Sequence, residues 1–175
     1  MFKEGAMSPL RRRDMQVRAA TTDEIKDLWE ERWLGCVVGL STVYTPDDVE
    51  GLALVDHHDD IAALVTFLID GPSGQVVTLD TIVRGRGFGR RMLEVVEGEF
   101  HGRGLGRAWA LMTNDNLRAV GLYISRGYRL TKVHLDAVER VRKYKPQLPQ
   151  KGYEGIPILD MWELEKLTLG GGSVV

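Results

Sequence analysis

The chain has 175 residues, 43% hydrophobic and 27% charged, with a net charge of −2. That balance suits one domain with a full core and argues against nucleic acid or an anionic membrane surface as partner. No apolar run approaches the roughly 20 residues of a membrane helix, and Arg11-Arg12-Arg13 leads into polar sequence rather than the apolar segment of a signal peptide.

The single cysteine, Cys36, has no partner for an internal disulfide, so a cytoplasmic setting is expected, with Cys36 as a buried thiol. Residues 1–14 show no pattern and read as a flexible N-terminal segment, and residues 15–19 as a first strand. Thr21-Thr22-Asp23-Glu24 has the form of a capping box. It predicts a helix with Ile25, Leu28, Trp29 and Trp33 on its apolar face. Residues 37–45 alternate loosely, as strand or irregular chain, and Thr45-Pro46-Asp47-Asp48 signals a turn or a short helical start.

Residues 52–56 and 61–69 read as two strands joined by His57-His58-Asp59-Asp60. That tetrad has metal-ligand residue types, but it sits in a turn with no further ligands at useful spacing, so no metal is expected. Gly71-Pro72-Ser73-Gly74 is a hairpin turn into a third strand. An antiparallel meander is therefore expected before the stretch that matters most.

That stretch is residues 76–93, VVTLDTIVRGRGFGRRML. It opens as a β-branched, buried strand and closes as a helix, with Phe88, Met92, Val96 and Phe100 on one face. Between them lies Arg84-Gly85-Arg86-Gly87-Phe88-Gly89. A glycine-rich turn from strand into helix leaves several N–H groups aimed at one point, where the helix dipole is positive. With Arg84, Arg86, Arg90 and Arg91 around it, this arrangement suits an anion, above all a phosphate.

Gly102-Arg103-Gly104-Leu105-Gly106-Arg107 repeats the spelling of Gly85 to Arg90. The second copy follows a helix, where carbonyls rather than N–H groups are unpaired, so it reads as a structural turn. Beyond it, residues 107–113 read as a strand and 116–126 as a helix with Leu117, Val120 and Ile124 inward. Gly127 ends that helix and residues 128–135 form another strand. A short basic helix over 137–144, a loop from Pro146 to Pro157 and a closing strand over 158–167 complete a single domain, 15–169, with 170–175 as a flexible tail. The order β-α-β-β-β-α-β-α-β-β predicts an α/β fold, a mixed sheet with helices on both faces.

The glycine loop fails the dinucleotide fingerprint G-x-G-x-x-G at its last position and lacks the lysine of a nucleotide-triphosphate loop. It does match [Gln/Arg]-x-x-Gly-x-[Gly/Ala], as Arg84-x-x-Gly87-x-Gly89. This resembles the acyl-coenzyme A pyrophosphate loop of the GNAT superfamily of N-acetyltransferases. Downstream, Asn116, Ala119, Tyr123, Gly127 and Tyr128 stand in register with that superfamily's pattern Asn-x-x-Ala-x-x-x-Tyr-x-x-x-Gly-[Phe/Tyr]. The resemblance covers roughly residues 15–135; the segment 136–157 is longer and more basic than the minimal family core.

The resemblance implies a mostly antiparallel sheet whose fourth and fifth core strands splay apart. It implies acetyl-CoA as co-substrate and an N-acetyltransferase activity in which an amine of a small molecule or peptide attacks the thioester directly. By the same resemblance the pantetheine arm pairs with the main chain around Leu79, Asp80, Thr81 and Ile82. The diphosphate sits on Arg84, Gly85, Arg86, Gly87, Phe88, Gly89 and Arg90, Asn116 bonds the pantetheine, and Tyr123 stands near the sulfur.

A tyrosine suits that place because it is protonated at neutral pH and offers a proton or a strong hydrogen bond to the leaving thiolate. A general base is also needed. Asp80, a carboxylate in an otherwise apolar run, and His134 are the candidates. Trp29, Trp33 and Tyr44 suit an acceptor pocket or plain core packing equally. The alternatives are a non-catalytic acyl-CoA sensor and, far behind it, a nucleic-acid binder using the arginine–glycine segments. The acceptor and the pairing of two copies into a homodimer stay open at this stage.

Overall fold

In the computed structural model, which describes residues 15–168, strand β1 (Gln16–Ala19) runs into a helix whose start is written in the sequence. Thr21 accepts the Glu24 amide on its hydroxyl at 3.2 Å, and the Glu24 carboxylate accepts the Thr21 amide at 2.8 Å. Helix α1 (Thr22–Arg32) then buries Ile25, Leu28 and Trp29. The stretches 1–14 and 170–175, expected to be flexible, lie outside the described residues.

The loosely alternating segment resolves into a small hairpin, β2 (Val37–Val38) against β3 (Val43–Tyr44). Strands β4 (Glu50–Val55), β5 (Ile61–Asp70) and β6 (Ser73–Thr81) form the expected meander. Strand β6 begins three residues before the expected start at Val76, because Asp70 pairs directly with Ser73 and the turn shrinks to Gly71-Pro72. Gly74 is therefore a strand residue. A Cβ there would lie 2.6 Å from the Phe100 ring, so the glycine makes room for helix α2 (Phe88–Gly102).

Strand β7 (Arg107–Thr113), helix α3 (Leu117–Ser125), strand β8 (Arg129–His134), helix α4 (Val138–Tyr144) and strand β9 (Met161–Leu167) follow. The seven-stranded sheet runs β1-β4-β5-β6-β7-β9-β8. Every neighbouring pair is antiparallel except β6–β7. One face packs Val76, Ala108 and Ala110 against Phe88, Met92, Val96 and Phe100 of α2, with Val120 and Tyr123 of α3. The other packs Leu64 and Val77 against α1. Val138 and Val141 of α4 cluster with Val38 and Met161.

One expectation is overturned. Leu117 and Ile124, expected inward on α3, are 40% and 53% exposed. The helix is apolar nearly all round, so periodicity did not single out a face; the sheet selects Val120 and Tyr123. The second glycine copy is the turn the sequence implied: Arg103 caps α2, Gly104 is left-handed, and the Gly106 amide bonds the Pro72 carbonyl at 2.9 Å. The His57-His58 segment is likewise a tight turn, closed by the Asp56 carboxylate accepting the His58 and Asp60 amides at 2.8 and 3.0 Å.

Candidate active site

Strands β6 and β7 pair only from Ser73↔Arg107 to Val76↔Ala110. Beyond that point they diverge, and a bulge marks the place. Phe67 pairs with Val76 but Thr66 pairs with Thr78, leaving Val77 as the extra residue on β6. The Thr78 amide is satisfied by the Thr66 hydroxyl at 3.1 Å, and the Trp29 indole donates to the Thr78 hydroxyl at 3.4 Å. A bulge bends and twists its strand. Here it turns the end of β6 away from β7 and leaves main-chain groups of Val77 to Thr81 without a strand partner on that side.

The opening is filled by a cavity of about 240 Å³, lined among others by Thr78, Leu79, Thr81, Met112, Asn116 and Tyr123. Of the main chain expected to carry pantetheine, Leu79 and Thr81 line this cavity. The Ile82 amide is spent on the Ala62 carbonyl at 2.9 Å, and Ile82 is not among the residues that line the cavity.

At the end of β6 the chain turns through Gly85 and Gly87, both left-handed with φ of 74° and 72°. Such values favour glycine. Gly87 is the N-cap of α2 and brings no side chain to it, so the first-turn amides, beginning with Phe88 and Gly89, point outward uncapped. Arg84 and Arg90 are exposed around them. The Arg90 guanidinium leans along the helix toward Ser125, at 3.3 Å, and Glu94, at 3.5 Å. The Phe88 side chain is fully buried in the core, so only its amide faces this end. A Cβ on Gly89 would stand at ordinary contact distance from Thr81 and Leu122, 3.5 and 3.6 Å.

Tyr123 is 4% exposed and borders the cavity, its ring edge-on to Tyr128 with centroids 4.9 Å apart. Burial, reinforced by the negative charge of Glu97, holds its hydroxyl well above the ordinary phenol pKa. It is therefore a protonated donor across the physiological range. Asn116 also borders the cavity, and its carbonyl oxygen caps α3 by accepting the Ala119 amide at 3.3 Å. Its helix-start role and its position at the cavity coexist.

Asp80 is 7% exposed. One carboxylate oxygen accepts the Trp33 indole N–H at 2.9 Å and the other lies 3.9 Å from Arg32. Burial pushes its pKa up, against the pull of Trp33 and Arg32. His134 does not reach the cleft. It lies on β8, the outer strand of the sheet, 3.2 Å from Glu163.

A second cavity of about 240 Å³ lies on the α1 side, under α4, with Tyr44, Leu111, Val141 and Met161 among its walls. Trp33, Val77, Leu111, Met112 and Asn116 belong to the walls of both cavities, so the two meet through the gap between β6 and β7. Trp33 and Tyr44 thus line a pocket, whereas Trp29 is fully buried.

Two features around the candidate site escaped the sequence. Lys145, at the end of α4, is buried and donates to the Trp33 and Cys36 carbonyls, closing the pocket over the end of α1. Only its place just before Pro146 hinted at a helix end. Cys36 itself is half-buried rather than fully so. Glu97, buried on α2, holds Arg126 at 2.7 Å and Lys166 at 3.1 Å behind the tyrosine pair. No helix among the described residues is long and apolar enough to cross a membrane, and no group of His, Cys, Asp and Glu among them is arranged to hold a metal ion.

The GNAT acetyltransferase family model matches residues 13–128. The chain is 29% identical over 139 residues to the uncharacterized protein YxbD of Bacillus subtilis, covering 79% of this chain and 87% of that one. Among solved structures it is similar to an IAA acetyltransferase from Bacillus cereus (TM-score 0.69, 12% identity, 87% of this chain and 99% of that one). It is also similar to a Bacillus subtilis acetyltransferase in complex with CoA (TM-score 0.65, 16% identity, 89% and 98%). A family model spanning the splayed strands, the glycine turn and Tyr123, on a fold shared with solved acetyltransferases, identifies the chain as a member of the GNAT acetyltransferase family.

Proposed function

We propose that the protein transfers an acetyl group from acetyl-CoA to a primary amine by direct attack, with the thioester lying where the two cavities meet. The observation that carries this reading is the pair of cavities sharing Trp33, Val77, Leu111, Met112 and Asn116 across the splay. One cavity runs toward the uncapped amides of α2, the other ends under α4. Two reactants entering from opposite faces would meet there, and holding them in line removes much of the entropic barrier.

The main-chain groups of Leu79 and Thr81, with Asn116, hold the pantetheine arm in this reading. The amides of residues 85–90 hold the diphosphate, with Arg84, Arg86 and Arg90 near it. The amine nitrogen attacks the thioester carbon, the C–S bond breaks, and the proton lost by the amine passes through water to Asp80. CoA leaves as the thiolate, and Tyr123, in the general-acid position, is the donor that faces it. A phenol whose pKa is raised above about 10 is a weaker acid than a thiol near 8.5, so its contribution is a strong hydrogen bond to the sulfur as negative charge builds. The domain that performs this spans 15–169.

The non-catalytic alternative, an acyl-CoA-binding sensor, is favoured by one observation: Asp80 lines neither cavity itself and is bonded to the back of a wall residue, Trp33. The experiment that separates them is thiol release from acetyl-CoA across amino acids, polyamines, aminoglycosides and peptide N-termini. Release with at least one amine supports transfer. Stoichiometric cofactor binding without release from any of them supports the sensor.

A further inference from the structure

The cavity under α4 has an unusual balance of charge for a pocket that takes an amine. Its walls are mostly apolar, including Trp33, Leu34, Val37, Leu111 and Met161. Among the described residues the charged side chains that line it are Arg32 and Lys145, both cations, and no acidic side chain lines it. Lys145 is buried and its amine is engaged with two carbonyls. Arg32 reaches the Thr81 carbonyl at 3.4 Å, on the strand that borders the gap.

An acceptor must place one nitrogen at the gap and its body in this cavity. The attacking nitrogen sheds its proton and leaves no charge behind. Any second ammonium on the body would be stripped of water among apolar side chains, beside Lys145 and Arg32 and with no carboxylate on the described wall to pair with, since Asp80, 3.9 Å from Arg32, lies behind it. An apolar body meets no such cost and covers surface that is otherwise wet.

Resting on the transfer reading above, we infer that the acceptor is a monoamine with an apolar, aryl or branched alkyl body, and that polyamines are rejected. Specificity then comes as much from the repulsion built into the wall as from the apolar contact. Leu34 is the place to alter it. It lines the cavity, is 47% exposed, and sits at a left-handed φ of 59°, a conformation that Asp tolerates better than Leu.

The test is thiol release by the full chain with acetyl-CoA and either 2-phenylethylamine or spermidine, together with calorimetric titration of each amine into CoA-loaded protein. The expected result is a kcat/KM for 2-phenylethylamine at least about tenfold above that for spermidine, with Leu34→Asp narrowing the ratio by favouring spermidine. Equal or better use of spermidine by the unmodified protein overturns the inference. If neither amine releases thiol, the titration decides the pocket, while the transfer reading stands or falls on the wider amine panel. Saturable binding of 2-phenylethylamine alone upholds the apolar-monoamine assignment; binding of spermidine, or of neither, overturns it.

Discussion

The Trp33 indole donates to the Asp80 carboxylate at 2.9 Å, tying the end of α1 to the strand that borders the cleft. Trp33 also walls both cavities, so one side chain orients the buried carboxylate and divides the two halves of the pocket. Four influences act on that carboxylate: burial, the strongest, opposes its charge, while the Trp33 indole, Arg32 and the Thr78 side chain favour it. A carboxylate held this way keeps its proton to higher pH than a free one, which moves it toward the range in which a general base works.

Replacing Asp80 by Asn keeps an acceptor for the indole and removes the base. We predict a fall in kcat/KM of about 100-fold or more, with little change in acetyl-CoA affinity and loss of the acid limb of the pH profile. Stability follows with a definite sign. The folded pKa lies above the unfolded value, so the native state loses stability as pH rises from about 4 through the folded pKa. Asp80→Asn should therefore gain on the unmodified protein over that interval. Thermal melts as a function of pH check this, and a pH-independent difference would contradict it.

Tyr123→Phe keeps the ring that packs on Tyr128 and removes the donor. The expected outcome is a kcat lowered about 10- to 100-fold, with the dissociation constant for acetyl-CoA within about twofold. Steady-state kinetics beside calorimetry separate the two. Turnover at the unmodified rate would remove Tyr123 from the chemistry.

Behind the tyrosines, Glu97 is the shared partner of Arg126 and Lys166. Glu97→Gln leaves Lys166 without its carboxylate and Arg126 with Glu94 alone, at 2.9 Å, and should cost about 1–3 kcal/mol of stability by denaturant unfolding. It should also lower the Tyr123 pKa in part, because burial, the main cause of its raised value, stays while the added effect of the Glu97 charge is gone. Ultraviolet titration of the tyrosines follows this directly.

Gly74→Ala places a methyl group 2.6 Å from the ring of Phe100, a fully buried residue of the main core cluster. We expect destabilisation of about 1–3 kcal/mol from this overpacking, and partial recovery when Phe100→Leu is added. Unfolding midpoints of the single and double variants provide the check.

Most of the fold was legible because its signals are local. The capping box at Thr21, the meander and the short helix of residues 138–144 each follow from a few adjacent residues. So does the difference between the two glycine copies, since one precedes a helix and the other follows it. The features that stayed hidden depend on partners far along the chain. Gly74 looks like a turn residue until Phe100 lies over it, and the Val77 bulge is decided by its register with Thr66.

The placing of the candidate site was legible to a similar depth. The glycine turn and the Asn116/Tyr123 segment have spacing of their own, and the structure brings Leu79, Thr81, Asn116 and Tyr123 around one cavity. Asp80 stood out as a charge in an apolar run, but its link to Trp33 spans 47 residues. Lys145 and Glu97 carry no pattern; burial alone marks them. Among the cationic groups near the glycine turn, Arg90 leans toward Glu94 and Ser125, so spelling alone did not fix where its charge lies.

The direct trial is calorimetric binding of acetyl-CoA to the unmodified chain and to Gly89→Leu. The site has room for a Cβ at ordinary contact distances from Thr81 and Leu122, so a melting temperature within a few degrees serves as the control for folding. The larger side chain would occupy the approach to the uncapped amides of α2. Affinity lower by about tenfold or more, equivalent to about 1.4 kcal/mol, is the result expected if those amides grip the diphosphate; an unchanged dissociation constant in a folded variant would contradict it.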